Sequence, residues 1–365
     1  MSALTTEQRD LAEAVADLMA KHSPEAAVRR LMATDTGYDP TVWAELAAMG
    51  LLGLAIPEKF GGSGAGAVEV GLVMEAMGRA LLCAPYLSSL LTTQLLLALG
   101  DAKEQADVLP RIAAGELIAT VAFAEAGSAR PPREPETIAR SAGFEWRLWG
   151  AKTYVLDPTI AERIYVLAGD AVFAVEPDAP GLEISALSTV DATRKQGRLV
   201  LNDTPGRLVG TLDGGAAALD RALDASSAAL LGEQAGGAIH AMQMAADYAK
   251  TRFQFGRAIG SFQAIKHMCA DMLLDAESAL SAARHVAAAF DADDPNRLLD
   301  LAAAQSYCSE AYVSVAASAI QVHGGIGFTW EHPAHLYLRR ARTDAELFGD
   351  AAWHRERYVR LREAL

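Results

Sequence analysis

The sequence predicts an α+β protein with an N-terminal helical domain, a small middle β-domain and a C-terminal four-helix bundle. Apolar residues recur at three- and four-residue steps in the first and last parts of the chain, whereas the middle carries short β-favouring runs between turn residues. With 365 residues and 51% apolar content, the chain is long enough for more than one domain. We place the domains at residues 1–118, 119–221 and 222–365.

The helical character of the first domain is indicated by one apolar face, formed by Leu11, Val15, Leu18 and Met19. Helix ends or loops are expected at Ser23-Pro24, at Pro57 and at the glycine-rich run from Gly61 to Gly64. The segment from Leu90 to Leu99 is apolar enough for an inner helix.

The β-domain is predicted from five short runs at residues 146–149, 154–156, 164–167, 172–175 and 199–201. The last domain is alanine-rich. Small and medium side chains there keep a near-heptad spacing that lets helices approach closely, at Leu301, Ala304, Cys308, Ala311, Val315, Ala319 and Val322.

Composition excludes several classes of function. A net charge of −14 without a basic stripe argues against nucleic-acid binding. The scattered Cys83, Cys269 and Cys308 indicate buried thiols rather than a disulfide framework, and no metal site is expected. No apolar run reaches the roughly 20 residues of a membrane span, and the N-terminus lacks signal-peptide features, so we expect a cytoplasmic protein without a membrane span.

Two C-terminal stretches combine arginine, glutamine, aromatic and glycine residues: Arg252 to Ala264 (RFQFGRAIGSFQA) and Gln321 to Phe328 (QVHGGIGF). Both resemble flavin-binding signatures of the acyl-CoA dehydrogenase family. Glu58 to Gly62 further resembles its P-E-x-x-G-G turn, and Trp146 to Lys152 its W-x-L-x-G-x-K hairpin. The motifs occur in the expected order over nearly the whole chain. The resemblance implies an FAD cofactor that straddles a subunit interface and an acyl-CoA substrate.

The resemblance assigns the adenosine diphosphate half of FAD to the C-terminal domain. A diphosphate is held by a fixed guanidinium and by backbone donors that glycine leaves accessible. The implied cofactor-binding residues are Arg252, Gln254, Phe255, Ile259, Phe262, Gln263, Gln321, Gly324 and Gly325. The alternative for each residue alone is structural: a solvated arginine, core phenylalanines and a loop.

The half that would bind the flavin ring departs from the family pattern. The T-E-P-x-x-G-S segment is Ala124 to Arg130 (AEAGSAR) here, so the threonine hydroxyl is missing. The aromatic residue and the threonine of the W-I-T-N segment fall on Tyr154 and Leu156. An unpaired buried acceptor costs about 1–3 kcal/mol. Backbone donors could replace the lost hydroxyls, and simple family drift is the alternative.

The family's catalytic glutamate is replaced by Phe348, counted forward from the helix that contains Leu338 to Arg342. A second position used in the family falls near Ser226 and Ser227. The catalytic base is therefore unknown. Glu346 and Asp350 are weak candidates, because in an extended loop they would point the same way as Phe348; the alternative is that both are solvated loop acids.

Two further polar residues stand beside the motifs. Glu233 is interpreted as a structural hydrogen-bonding acid of the bundle rather than a base, and His323 as a packing or interface residue.

The chain keeps the residues for the diphosphate half of FAD, lacks hydroxyls for the flavin ring, and lacks the base. In this it resembles the non-catalytic subunit of bacterial α2β2 acyl-CoA dehydrogenases that oxidise coenzyme A esters of steroid side chains. The resemblance implies a homologous partner that supplies the base. One alternative is a self-sufficient homotetramer with a displaced base. Another is a scaffold, or other flavin chemistry, on the same fold. The acyl group itself is not specified by the sequence.

Overall fold

Helices occupy the first and last parts of the chain and strands the middle, which confirms the predicted order of helical domain, β-domain and helical bundle. The computed structural model describes residues 4–127, 130, 132, 135–143 and 145–364. The chain packs as two compact units. One contains the residues up to Arg29, Ala67–Leu82 and the chain from Ser227 on; the other contains Arg30–Gly66 and Cys83–Ser226. The predicted boundaries at 118/119 and 221/222 remain predictions.

The helices of the described chain are, in order, α1 Thr6–His22, α2 Glu25–Met32, α3 Pro40–Ala48, α4 Ala67–Arg79, α5 Tyr86–Leu99, α6 Ala102–Ala113, α7 Gly215–Thr251, α8 Gln263–Asp291, α9 Arg297–His323, α10 Ala334–Glu346 and α11 Ala351–Glu363. The strands are β1 Ala119–Ala122, β2 Ile138–Ala142, β3 Glu145–Leu156, β4 Arg163–Ala168, β5 Ala171–Val175, β6 Leu182–Ala186, β7 Gln196–Val209, β8 Phe253–Gln254 and β9 Arg257–Ala258. Helix α5 confirms the inner helix predicted from Leu90 to Leu99.

Seven strands form one sheet with the order β1-β4-β5-β7-β3-β2, and β6 also pairs with β7. Among the described strands, the β1–β4 pair alone is parallel. One face is covered by apolar side chains, including Leu148, Ile164 and Phe173. Gly150 explains the glycine of the W-x-L-x-G-x-K hairpin: it has φ of +142°, and a Cβ there would lie 2.6 Å from Thr137 Oγ1.

The bundle unit is held together by close helix crossings. Helices α4 and α7 meet at glycines, since a Cβ on Gly78 would lie 2.2 Å from the Glu233 carbonyl oxygen and one on Gly236 would lie 2.0 Å from that of Glu75. Alanines of α7, α8 and α9 pack around Leu301 and Cys308. The glycine and alanine spacing of the last domain therefore lets helix backbones approach each other, as in other bundles.

No helix in the described part of the chain combines the length and the apolar character that a bilayer crossing requires. Cys83 and Cys308 are buried and Cys269 is partly buried.

Candidate functional site

A cavity of about 570 Å³ lies in the bundle unit at the junction of α7, the β8–β9 hairpin, α8 and the end of α9. Seven of the nine predicted cofactor-binding residues line it: Arg252, Gln254, Phe255, Ile259, Phe262, Gly324 and Gly325. Gln263, the first residue of α8, and Gln321, in the last turn of α9, are exposed and outside this lining. Two stretches about 70 residues apart in sequence thus form one concavity of a size typical of ligand sites.

The hairpin fixes the arginine side of the cavity. Its turn consists of Phe255 and Gly256, both with positive φ, and the Ile259 amide donates to the Arg252 carbonyl at 2.8 Å. Phe255 is 91% exposed and meets Phe262 edge to face, with ring centroids 6.1 Å apart. The Arg252 backbone is therefore held while its exposed side chain reaches the cavity. Within the described residues, no acid pairs with this guanidinium.

The glycine side is formed where α9 ends. Gly324 has φ of +66° and ψ of −143°, a conformation that residues with a Cβ rarely adopt. Ideal Cβ atoms on Gly324 and Gly325 would have no neighbour within 4 Å, so the backbone here is open to an approaching ligand. A guanidinium without an acidic partner, accessible backbone and apolar walls fit the diphosphate end of a dinucleotide.

Five lining residues were missed by the sequence analysis as cofactor contacts: Tyr248, Ile265, Val322, His323 and Ile326. Tyr248 lies in the last turn of α7, four residues before Arg252, whose amide donates to the Tyr248 carbonyl oxygen at 2.8 Å, and this spacing could have identified it. His323 is buried, and its ring lies 4.5 Å from that of Tyr248. His323 is a packing residue, as the sequence analysis expected, and its packing partners include the wall of the cavity.

The positions that the family resemblance predicts for the flavin ring belong to the other unit. Ala124 and Leu156 are buried and bring no side-chain hydroxyl, and their carbonyl oxygens accept from the Thr153 amide and the Thr120 hydroxyl. Tyr154 is half-exposed with φ of +53°. Two residues of this segment, Ser128 and Ala129, lie outside the described residues. Neither Ala124 nor Leu156 therefore offers a side-chain hydrogen bond to a ligand.

Phe348 is buried, with 1% of its surface exposed, and has φ of +61°. The expectation of an extended loop around it is wrong, because Glu346 ends α10 and Asp350 caps α11 by accepting from the Trp353 amide at 2.7 Å. Both acids are exposed whereas Phe348 is not. Positive φ at Phe348 and at Gly349 breaks the extended run, so the alternation that would align side chains two residues apart does not hold here.

The remaining polar candidates are structural. Glu233 is buried and ion-paired with the equally buried Arg340 of α10, which confirms its interpretation as a structural acid. Ser226 and Ser227 are fully buried in α7. In the described chain, no group of three or more His, Cys, Asp or Glu side chains could hold a metal ion.

Comparison with known proteins extends over nearly the whole chain. Residues 5–116 match the acyl-CoA dehydrogenase N-terminal domain and residues 213–360 the C-terminal domain. Acyl-CoA dehydrogenase IpdE2 of Mycobacterium tuberculosis is 35% identical over 93% of this chain and 92% of its own.

Two solved structures are similar in both sequence and fold. A chain of the ChsE4-ChsE5 complex of M. tuberculosis is 31% identical, with a TM-score of 0.89 and coverage of 99% and 98%. A chain of a variant of the Tcur3481-Tcur3483 steroid ACAD is 30% identical, with a TM-score of 0.86 and 98% coverage of each chain. The chain therefore belongs to the acyl-CoA dehydrogenase family of FAD-binding flavoproteins.

Proposed function

We propose that this chain is a subunit of an FAD-dependent acyl-CoA dehydrogenase that binds the adenosine diphosphate half of the cofactor, while a homologous partner supplies the catalytic base. The substrate class is a coenzyme A thioester, with a steroid side chain as the acyl group we favour. The ChsE4-ChsE5 structure is of a complex and the Tcur3481-Tcur3483 protein is described as a steroid ACAD, and both support this choice. We expect the assembly to work in the cytoplasm.

The observation that carries the proposal is Phe348. Oxidation at the α and β carbons requires a group that removes the α-proton, and a phenyl ring has no atom that accepts one. The nearby Glu346 is exposed at a helix end, and the Asp350 carboxylate already accepts a backbone hydrogen bond. A base from another chain would complete the site.

Exposed apolar side chains around the cavity support a protein partner. Five large ones stand in the two motif segments and the turn after them: Phe253, Phe255, Ile326, Phe328 and Trp330. Exposed apolar groups concentrated at one place mark interaction surfaces. A partner that covers them would also close the cavity over the cofactor.

The residues of this chain have binding roles. Arg252 would pair with the diphosphate, the Gly324–Gly325 backbone would donate to its oxygens, and Phe255 and Phe262 would shield it from water. FAD, when bound, supplies the acceptor for the hydride that leaves the β-carbon of the thioester. This chain orients the cofactor and transfers no proton.

The test is to purify the chain alone and with homologous acyl-CoA dehydrogenase chains encoded beside it, and to measure flavin content and flavin reduction by acyl-CoA esters. We expect reduction only in the mixed assembly, with about one FAD for every two chains. A lone chain that carries one FAD per subunit and is reduced by an acyl-CoA ester would overturn the proposal.

The self-sufficient alternative predicts that Glu346→Gln combined with Asp350→Asn abolishes flavin reduction. Unchanged reduction would reject that alternative, and absence of flavin in every assembly would favour a scaffold.

A further inference from the structure

Three histidines meet at the corner where α9 ends and α10 begins: His323, His332 and His335. His323 and His332 have ring centroids 4.2 Å apart, and the Tyr248 ring lies 4.5 Å from His323. His335 meets Trp330 edge to face at 4.6 Å. We call these three histidines the histidine corner. Since His323 also lines the nucleotide cavity, the corner and the cavity share a wall.

The hydrogen bonds of the corner fit uncharged rings. The Nδ1 atom of His323 lies 2.7 Å from the Ala319 carbonyl oxygen, which only accepts, so Nδ1 carries the proton. The Nδ1 atom of His332 accepts from the Ala334 amide, so in the neutral ring its proton is on Nε2. Nε2 of His323 and both ring nitrogens of His335 are buried without a hydrogen-bond partner among the described residues. A second proton on His323 or His335 would therefore find no acceptor.

The charged groups that face the corner also oppose protonation. Helix α2 brings Glu25 and Arg29 towards His332 and His335, and α10 brings Arg339 towards His335, so two cations stand against one anion. Tyr248, from α7, packs its ring against His323, and Arg252 lines the same cavity as His323. Burial lowers the pKa of all three histidines, and with Arg339 and Arg29 it lowers that of His335 to about 4.

We propose that the histidine corner is an acid-sensitive switch, in which protonation of its rings opens the wall of the nucleotide cavity and weakens binding of the adenosine diphosphate half. The proposal rests on the proposed function of the cavity. A buried imidazolium without an acceptor is relieved when the ring moves into water. Because His323 is followed directly by Gly324 and Gly325, its movement displaces the backbone that faces the ligand.

The sign of the effect follows from the depressed pKa values. A histidine that titrates below its ordinary value of 6.5 in the folded corner is protonated first in the open state. The closed corner is thus fully stable above about pH 6.5 and loses stability as pH falls.

The first test measures the dissociation constant of FAD at pH 7.5 and 5.5 by calorimetry, on the full chain in whichever assembly binds FAD at pH 7.5. The diphosphate diester of FAD does not titrate in this range. We expect binding about tenfold weaker at pH 5.5. The His332→Asn plus His335→Phe variant should show a weaker dependence, because only His323 of the corner can then take up a proton. Asparagine can still accept from the Ala334 amide, and phenylalanine still packs on Trp330. Equal or tighter binding at pH 5.5, or an unchanged dependence in the folded variant, overturns the proposal.

The matched control is His285→Asn, which removes an exposed histidine that contacts Asp300 outside the corner and should keep the dependence. Absence of FAD binding at pH 7.5 contradicts the proposed function instead. The fluorescence of Trp330, which packs on His335, then tests the switch without FAD. We expect the part of the tryptophan fluorescence that Trp330→Phe removes to change with a midpoint below pH 6.5. A flat signal from pH 7.5 to 5 overturns the switch.

Discussion

The Lys152 ammonium and the Glu125 carboxylate form a buried ion pair, with 2.7 Å between Nζ and Oε1. Lys152 is 0% exposed and also donates to the Phe123 carbonyl oxygen. Glu125 further accepts from the Glu136 and Thr137 amides. The lysine of the W-x-L-x-G-x-K motif and the glutamate of the A-E-A-G segment thus serve one purpose, which is to hold β3 against the chain that follows β1.

Removing Lys152 and removing Glu125 should lower the free energy of unfolding by different amounts. Losing one partner of a buried ion pair costs about 3–5 kcal/mol. In Lys152→Met the carboxylate keeps the Glu136 and Thr137 amides, so we expect the lower end of this range. In Glu125→Leu a buried ammonium keeps only the Phe123 carbonyl, and two amides lose their acceptor, so we expect at least the upper end. Urea denaturation at pH 7.5 measures both, and a Lys152→Met variant less stable than Glu125→Leu would contradict the ranking.

The ion pair should also make the free energy of unfolding depend on pH. Burial alone would raise the pKa of Glu125, but hydrogen bonds from Lys152, Thr137 and Glu136 together outweigh it and lower the pKa to about 2 from an ordinary 4.5. The unfolded chain is therefore protonated first as pH falls. The difference in unfolding free energy between the wild type and Glu125→Gln should be constant above about pH 5 and shrink between pH 4.5 and 2. A difference that stays constant down to pH 3 would refute this.

Arg252 should account for a large share of nucleotide affinity. A hydrogen bond to a charged group contributes about 1.5–3 kcal/mol, so Arg252→Ala should raise the dissociation constant of adenosine diphosphate by roughly 10- to 100-fold. The control is Lys250→Ala, which removes a positive charge two residues before Arg252. The Lys250 side chain pairs with Asp247 and does not line the cavity. Calorimetry compares the two. Equal losses would mean that Arg252 acts only through net charge.

The sequence identified those parts of the fold and the site that follow from local pattern. The glycine turn at Gly324 and Arg252, directly after α7, could be recognised because backbone conformation and charge depend on residue type. The contacts of Glu233 could not, since its partner Arg340 is more than 100 residues away and only tertiary packing joins them. The shape of the segment around Phe348 was mispredicted because an N-cap at Asp350 ended the supposed extended run.

The strands also divide into those that local sequence predicts and those that depend on tertiary pairing. The five runs chosen for their β-favouring residues lie in β3, β4, β5 and β7. Five strands of the described chain were missed: Ala119–Ala122, Ile138–Ala142, Leu182–Ala186 and the two short strands Phe253–Gln254 and Arg257–Ala258. The first of these is rich in alanine, which has little preference for strands, and it becomes one by pairing with β4. Pairing partners in the sheet, rather than local preference, decide such segments.

Restoring a glutamate at Phe348 should not by itself create a dehydrogenase. The Phe348→Glu side chain would enter a site where the present ring is 1% exposed, so burial would raise the pKa of the new carboxyl and cost stability. Ala124 and Leu156, the positions predicted to face the flavin ring, would still lack hydroxyls. We expect a lower melting temperature than the wild type and no flavin reduction by the lone chain.

Phe348→Gln is the matched control, because it introduces a polar group of the same shape without a titratable proton. Purified Phe348→Glu and Phe348→Gln chains are loaded with FAD, mixed with acyl-CoA esters, and followed by the absorbance of the oxidised flavin. Bleaching in Phe348→Glu but not in Phe348→Gln would show that this chain retains a complete site apart from its base, and the role of the partner would then be limited to assembly.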